Sequence, residues 1–320
     1  MLENGSYYLL GYYPSPDETD GEFHDIDVRV SRPGVRVRAR QGYVARDAEV
    51  EAARDTQAIL DEALGAAMPQ AALPLRAVAA LVAATAGGAT ALVTVEATYP
   101  AGDVLARDVA ELGIMALGPD AELRASAART VRFADAPGAG EGTSSRASIH
   151  HHLDLPAGSM TLRIALASEA LGAAGSVHLP IVVPELDEDD AHLGGIALGL
   201  QTRASDSLGP PPSDLVPFAP TTRREFGRGE VVEVFTRLFP GATDAGTDGR
   251  TTATVSARQG DSTVWTAPLD VVPSGNGQPT LDWRGLLELQ GLAAGDYVLN
   301  VTATLPNGAA LSRRLPFRVR

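Results

Sequence analysis

The stretch Leu155-Pro156-Ala157-Gly158-Ser159-Met160-Thr161-Leu162-Arg163-Ile164 has a counterpart in Leu292-Ala293-Ala294-Gly295-Asp296-Tyr297-Val298-Leu299-Asn300-Val301. Leu155, Ala157, Gly158, Leu162 and Ile164 recur in order as Leu292, Ala294, Gly295, Leu299 and Val301, a displacement of 137 residues from 155 to 292. Each copy then runs through a short Gly-bearing loop to a closing strand. These are Leu179-Pro180-Ile181-Val182-Val183 and Leu315-Pro316-Phe317-Arg318-Val319, displaced by 136 from 179 to 315. A Gly turn feeding a strand of period-2 apolar spacing, then a return strand, ends an antiparallel sandwich. Two such endings predict a mainly β protein with two tandem immunoglobulin-like β-sandwich domains.

Working outward, the 320 residues suit two domains, each large enough to bury a core. Aromatics make up only 5% of the chain, so those cores must be built from Val, Leu, Ile and Ala. A formal charge of −14 argues against nucleic acid as a partner, because phosphate contacts need a basic footprint. There is no cysteine, which excludes thiol nucleophiles, disulfides and thiolate metal sites. All 26 basic residues are arginine, which excludes Schiff-base catalysis and a P-loop lysine. Met1-Leu2-Glu3-Asn4 lacks the basic and apolar regions of a signal peptide. The uncharged stretch from Ala77 to Val95 carries Gly87-Gly88 at its middle and reads as two strands joined by a turn, so no membrane span is expected.

Residues 1–46 open with Tyr7-Tyr8-Leu9-Leu10-Gly11-Tyr12-Tyr13-Pro14, a strand stopped by proline. Phe23, Ile26, Val28 and Val30 then lead through Arg32-Pro33-Gly34 to Val35, Val37 and Ala39, a hairpin with a Pro-Gly turn. Residues 47–71 read as a short surface helix and linker, with Asp47 as its N-cap and an end near Gly65. The first sandwich is expected over 72–184 with seven strands, and the second over 226–320, with Trp283 in its core. Between them, 185–225 reads as an acidic and then Pro-rich linker. It carries one strand-like piece, Ile196 to Thr202, suited to begin the second sandwich.

With those residues laid out, the chain resembles the bacterial von Willebrand factor A-related proteins typical of acidobacteria. The resemblance is carried by Ser6-Tyr7-Tyr8-Leu9-Leu10-Gly11-Tyr12-Tyr13-Pro14, by Asp20-Gly21-Glu22-Phe23-His24-Asp25-Ile26-Asp27-Val28, and by Arg32 through Tyr43. Leu155-Pro156-Ala157-Gly158, Gly175-Ser176-Val177 and Thr221-Thr222-Arg223-Arg224-Glu225-Phe226 are similar to the family's β-rich C-terminal region. The resemblance implies that 1–46 is the closing strand and hairpin of an α/β A domain. The adhesion site of that domain needs Asp-x-Ser-x-Ser, which occurs nowhere here, so its metal-mediated binding transfers to no residue of this chain. The resemblance therefore implies the C-terminal part of a longer protein, or a reading frame that starts late. It also implies an extracellular or cell-envelope location and a protein or cell-surface ligand as partner.

Several clusters invite chemistry. His150 and His152 share one strand face with Asp154 and have the spacing of two zinc ligands. A polar, solvent-facing edge strand is the preferred reading. Glu185, Asp187, Glu188, Asp189 and Asp190 form an acidic run where calcium often bridges tandem sandwiches. The run lacks the alternating spacing and glycine of a calcium loop and reads as a solvated linker. Asp244-Ala245-Gly246-Thr247-Asp248-Gly249 begins like a calcium loop, but Val255 stands where its bidentate Glu belongs. Arg36, Arg38 and Arg40 share a hairpin face that Asp25 and Asp27 are placed to neutralise. No Gly-x-Ser-x-Gly or His-Glu-x-x-His occurs. The expectation is therefore a non-enzymatic interaction, adhesion or spacer module without a cofactor. The alternatives are a carbohydrate-binding or enzyme-accessory sandwich, which would display Trp265 and Trp283 on a flat platform, and a metalloenzyme using His150 and His152.

Overall fold

The structure is a computed structural model that describes residues 23–29, 31, 42–44, 55–133, 144–185, 190–201, 215–241, 251–272 and 280–320. It is mainly β with few helices. In chain order the described elements are β1 (Phe23–Asp25), β2 (Gly42–Val44), helix α1 (Thr56–Gly65), β3 (Leu75–Thr85) and β4 (Gly88–Pro100). Then come the short helix α2 (Val104–Arg107), β5 (Val109–Leu117), β6 (Leu123–Arg132), β7 (Ser144–Pro156), β8 (Gly158–Ser168) and β9 (Ala173–Val183). The remainder is β10 (His192–Leu193), β11 (Ala197–Leu200), β12 (Glu225–Phe226), β13 (Val231–Phe239), β14 (Thr252–Gln259), β15 (Ser262–Val272), β16 (Leu281–Glu288), β17 (Gly295–Thr304) and β18 (Ala310–Val319). Among the described residues no helix is long and apolar enough to cross a membrane. Ala77–Val95 instead falls on β3 and β4, turned at Gly87, whose φ of 80° suits a residue without a Cβ.

In the first unit β3-β4-β7 form one antiparallel sheet and β6-β5-β8-β9 another. Alternate residues of β4, namely Ala91, Val93, Val95 and Ala97, meet Leu112 and Ile114 of β5 and Leu162, Ile164 and Leu166 of β8 in one core. That alternation is the period of two that puts successive side chains on opposite faces. The outer face of the four-stranded sheet is covered by α1. Ile59, Leu60, Ala63 and Leu64 form its apolar stripe and pack on Ala165, Ala167 and Ala174. The helix is shorter than the expected span from Asp47 to near Gly65, and Asp55 rather than Asp47 caps it, accepting from Gln57 N at 3.3 Å. Residues 47–54, and so Asp47, lie outside the described residues.

The second unit departs from two separate sheets. Its strands run continuously in the order β10-β13-β16-β15-β14-β17-β18-β12, with β11 also on β13. The bend lies in β15, which pairs with β14 as far as Leu269 and with β16 from Asp270 to Val272. Pro268 brings no N–H to the ladder and sits just before the switch. A strand that changes partner makes a corner and curls the sheet over its own core. Trp283 is fully buried there, among Val234, Leu287, Leu299 and Val301. The described part of 185–225 contributes β10, β11 and β12 to this sheet rather than standing apart from it.

The repeated endings occupy matching places. Leu162 pairs with Leu179 in the first unit, and their counterparts Leu299 and Leu315 pair in the second. Ile164 faces Ile114 as Val301 faces Val255, so a β5-β8-β9 trio is matched by β14-β17-β18. At the other end of the chain β1 and β2 pair antiparallel, Phe23 opposite Val44. The turn expected at Arg32-Pro33-Gly34 lies outside the described residues.

Truncating Ile164, fully enclosed between the sheets, removes buried methylene groups and leaves a void. Ile164→Ala is expected to cost about 2–5 kcal/mol, read as a lower urea midpoint with the slope unchanged.

Candidate functional site at the seam between the two units

The described residues that meet between the units start from a defect in β3. This strand ends its sheet on one side, and its register against β4 shifts between Leu81 and Ala83. Such a bulge leaves backbone groups outside the ladder. The second unit takes them up: Gly195 N donates to Leu81 O at 3.3 Å, and Arg237 Nη1 donates to Val82 O. Arg237 lies on β13 directly opposite Asp282 of β16, with Nε and Nη2 donating to the two carboxylate oxygens at 2.5 and 2.6 Å. The arginine is 1% exposed and the aspartate 3%, so neither charge has water as an alternative partner. Gly194 and Gly195 permit the approach. A Cβ on Gly194 would stand 2.8 Å from Leu81 O, and one on Gly195 would stand 2.9 Å from Ala80 Cα. Around this polar centre Ala80, Val82 and Leu92 of the first unit pack with Ala197, Val216, Phe218 and Phe235 of the second.

A second polar joint lies further along β4. Glu96 points away from the first core and accepts three bonds from the other unit: Thr221 Oγ1 at 2.7 Å, Thr222 N at 2.9 Å and Thr222 Oγ1 at 2.7 Å. Both carboxylate oxygens are used, and the two threonines are buried. On the same face, Thr94 Oγ1 lies 3.2 Å from Nδ1 of His150, its cross-strand neighbour on β7. His150 Nε2 is buried without a partner. Burial lowers the His150 pKa to about 4; the Glu96 charge opposes the shift and His152 adds to it. Arg224 sits nearby, its guanidinium pushed below the usual range by burial against the pull of Glu96.

The residues singled out from the sequence are distributed unevenly around this seam. His150 belongs to it, so the triplet strand β7 is an edge strand but not simply solvent-facing. His152 and Asp154 are exposed on the same face, and Asp154 accepts from Thr90 Oγ1 at 2.5 Å. His178 stands on β9 in the other sheet. Among the described residues no three His, Asp or Glu side chains are grouped to hold a metal ion. Asp187 and Asp189 lie outside the described residues, as do Asp244–Gly249 and the hairpin arginines Arg36, Arg38 and Arg40. Arg29 is paired with Asp27, two residues before it and beyond the end of β1, at 2.6 Å, with both side chains exposed. Trp283 is enclosed and Trp265 packs half-buried against the second core, so neither forms a flat exposed platform.

Glu96, Arg237 and Asp282 received no role from sequence reading. A faint signal exists for each: a charge set within an otherwise apolar strand pattern, Thr94-Val95-Glu96-Ala97, Phe235-Thr236-Arg237-Leu238 and Leu281-Asp282-Trp283. Such a charge needs a partner. No sequence rule supplies which one.

No protein-family model matches the chain, and no curated protein matches it in sequence. Among solved structures it is similar to the C-terminal domain of the Streptococcus pyogenes antigen I/II-family protein AspA. That match has 9% identity and a TM-score of 0.21, over 78% of this chain and 99% of that one, a likeness too loose to carry an argument.

Removing one partner of the buried pair strands the other. Arg237→Met is expected to lose about 3–5 kcal/mol in urea unfolding, while Arg237→Met with Asp282→Leu recovers most of it. A double variant no better than the single one would contradict this account. Protonation supplies a second test. Between pH 6.5 and about 4 the unfolded chain binds a proton at His150 that the folded chain refuses, so stability falls as pH falls through that window. His151 and His178 are lowered by burial too and act with the same sign. His150→Gln is expected to flatten the dependence by up to about 1.4 kcal/mol per pH unit, and an unchanged slope would remove His150 as its source.

Proposed function

We propose that the chain is a non-enzymatic interaction or spacer module of the extracytoplasmic kind found in bacterial von Willebrand factor A-related proteins. In this reading its two units are immunoglobulin-like and are held as one stiff body. The seam carries the proposal. An apolar cluster shared by both units, a buried Arg237–Asp282 pair reaching Val82, and the three-bond Glu96 joint all resist hinging. A protein whose task is to hold a binding surface at a fixed distance needs that resistance, since separate domains otherwise move relative to one another.

The immunoglobulin-like reading draws support from the three-plus-four strand arrangement of the first unit and from the matched β5-β8-β9 and β14-β17-β18 trios. The von Willebrand reading draws support from the β1–β2 pairing, which falls inside the residues that carry the resemblance. The partner would be a protein or cell-surface ligand. Strands β6 and β7 end their sheets and offer backbone groups of the type that pair with an added strand.

Because the chain lacks cysteine, one engineered at exposed Ser159 and another at exposed Ser312 can be labelled without interference. Energy transfer between the labels is expected to report a single narrow distance. Unfolding should be one transition that Trp283→Ala moves as a whole. Two resolved populations, or robust turnover of any substrate in a hydrolase panel, would defeat the reading.

A further inference from the structure

We infer that the cleft at the seam is a binding site for a small oxyanion, a carboxylate or phosphate group held by Arg224 and Arg313. The cleft encloses about 170 Å³ and is lined by Val78, Leu92 and Thr94 from the first unit and by Arg224, Arg313 and Arg314 from the second. That volume is below the range of pockets for drug-sized molecules and suits a compact ion or the charged end of a larger one.

The arginines decide the ligand's sign. Arg223, Arg237, Arg284, Arg318 and Arg320 each hold a carboxylate. Arg224, Arg313 and Arg314 hold none among the described residues. The Nη1 of Arg224 donates only to backbone, to Arg223 O at 2.7 Å and Thr221 O at 3.5 Å. Arg313 donates to Ser312 O at 3.3 Å. Five N–H donors per guanidinium leave most of this capacity unused. Position matters as well. Arg313 shares the strand parity of Leu311 and Leu315, which pack on the second core, but its side chain is exposed at the mouth of the cleft.

Partial burial pushes the guanidinium of both Arg224 and Arg313 below its usual range, although Arg313 remains exposed on β18. Glu96, beside Arg224, has both oxygens engaged by Thr221 and Thr222 and offsets only part of the local positive charge. A planar guanidinium fork matches carboxylate and phosphate oxygens. The chain as a whole carries a formal charge of −14, so this positive cleft runs against its average. The site lies between the units, so an occupant would touch both of them. The inference stands apart from the spacer reading, because it is tested by binding to the isolated chain.

The test is calorimetric titration of the full chain at low ionic strength with sodium phosphate, sodium acetate and, at matched ionic strength, sodium chloride. One-to-one saturable binding of phosphate or acetate is expected, with a melting temperature that climbs with ligand concentration. The two arms separate a phosphate site from a carboxylate site. Arg313→Gln should weaken binding at least about tenfold while the ligand-free melting temperature holds, and Arg129→Gln on exposed β6 should leave it unchanged. Should Arg313→Gln fail to fold, Arg224→Gln carries the same expectation. Heats indistinguishable from chloride, or full affinity in the folded arginine variant, would overturn the proposal.

Discussion

The guanidinium of Arg237 must satisfy its charge without water, and much of the seam is arranged around that demand. Asp282 neutralises it from the neighbouring strand, and Val82 of the other unit accepts what remains. A carbonyl is free at Val82 because β3 bulges there. The backbones can come that close because residues 194 and 195 are glycines. Bulge, glycine pair and ion pair are thus one device, since each would be a liability without the other two. An unpaired buried charge costs several kcal/mol, and an orphaned buried carbonyl costs a smaller but real amount.

The seam also accounts for the composition of the first sheet. A sheet with one wet face alternates apolar and polar residues, whereas one covered on both faces reads as a continuous uncharged run. Ala77–Val95 is such a run because β3 and β4 meet the first core on one side and the second unit on the other. Its many Ala, Thr and Gly residues keep both faces flat enough for close approach. The membrane-like length of that stretch is a by-product of two-sided burial. Beyond Val95 the outer face turns polar at Glu96, where the apolar joint gives way to the threonine clamp.

How much was legible differs by level. Strand positions were readable because period-2 spacing and turn residues are local properties. The helix was readable from Ile59, Leu60 and Leu64, but its start was misplaced because several acidic residues there qualify as caps. His150 was noticed for a ligand spacing. What gives it character is Thr94, Glu96 and Arg224, drawn from another strand and from the other unit. The curl of the second sheet was not readable at all. A switch of partner within β15 leaves only Pro268 as a local trace, and proline is compatible with several alternatives.

By itself the sequence determined that this is a β protein with a repeated strand-turn-strand ending and without thiol or lysine chemistry. Those conclusions follow from residue identity and from spacing over a few positions. Only the tertiary structure decided that Arg237 belongs with Asp282 and Val82, that Glu96 belongs with Thr221 and Thr222, and that Arg224, Arg313 and Arg314 share a cleft without a carboxylate. Each of those is a pairing across 45 residues or more, or a convergence of separate elements. Charge–partner choice over such distances is set by which backbones come within a few ångströms, and that depends on the packing of the whole chain.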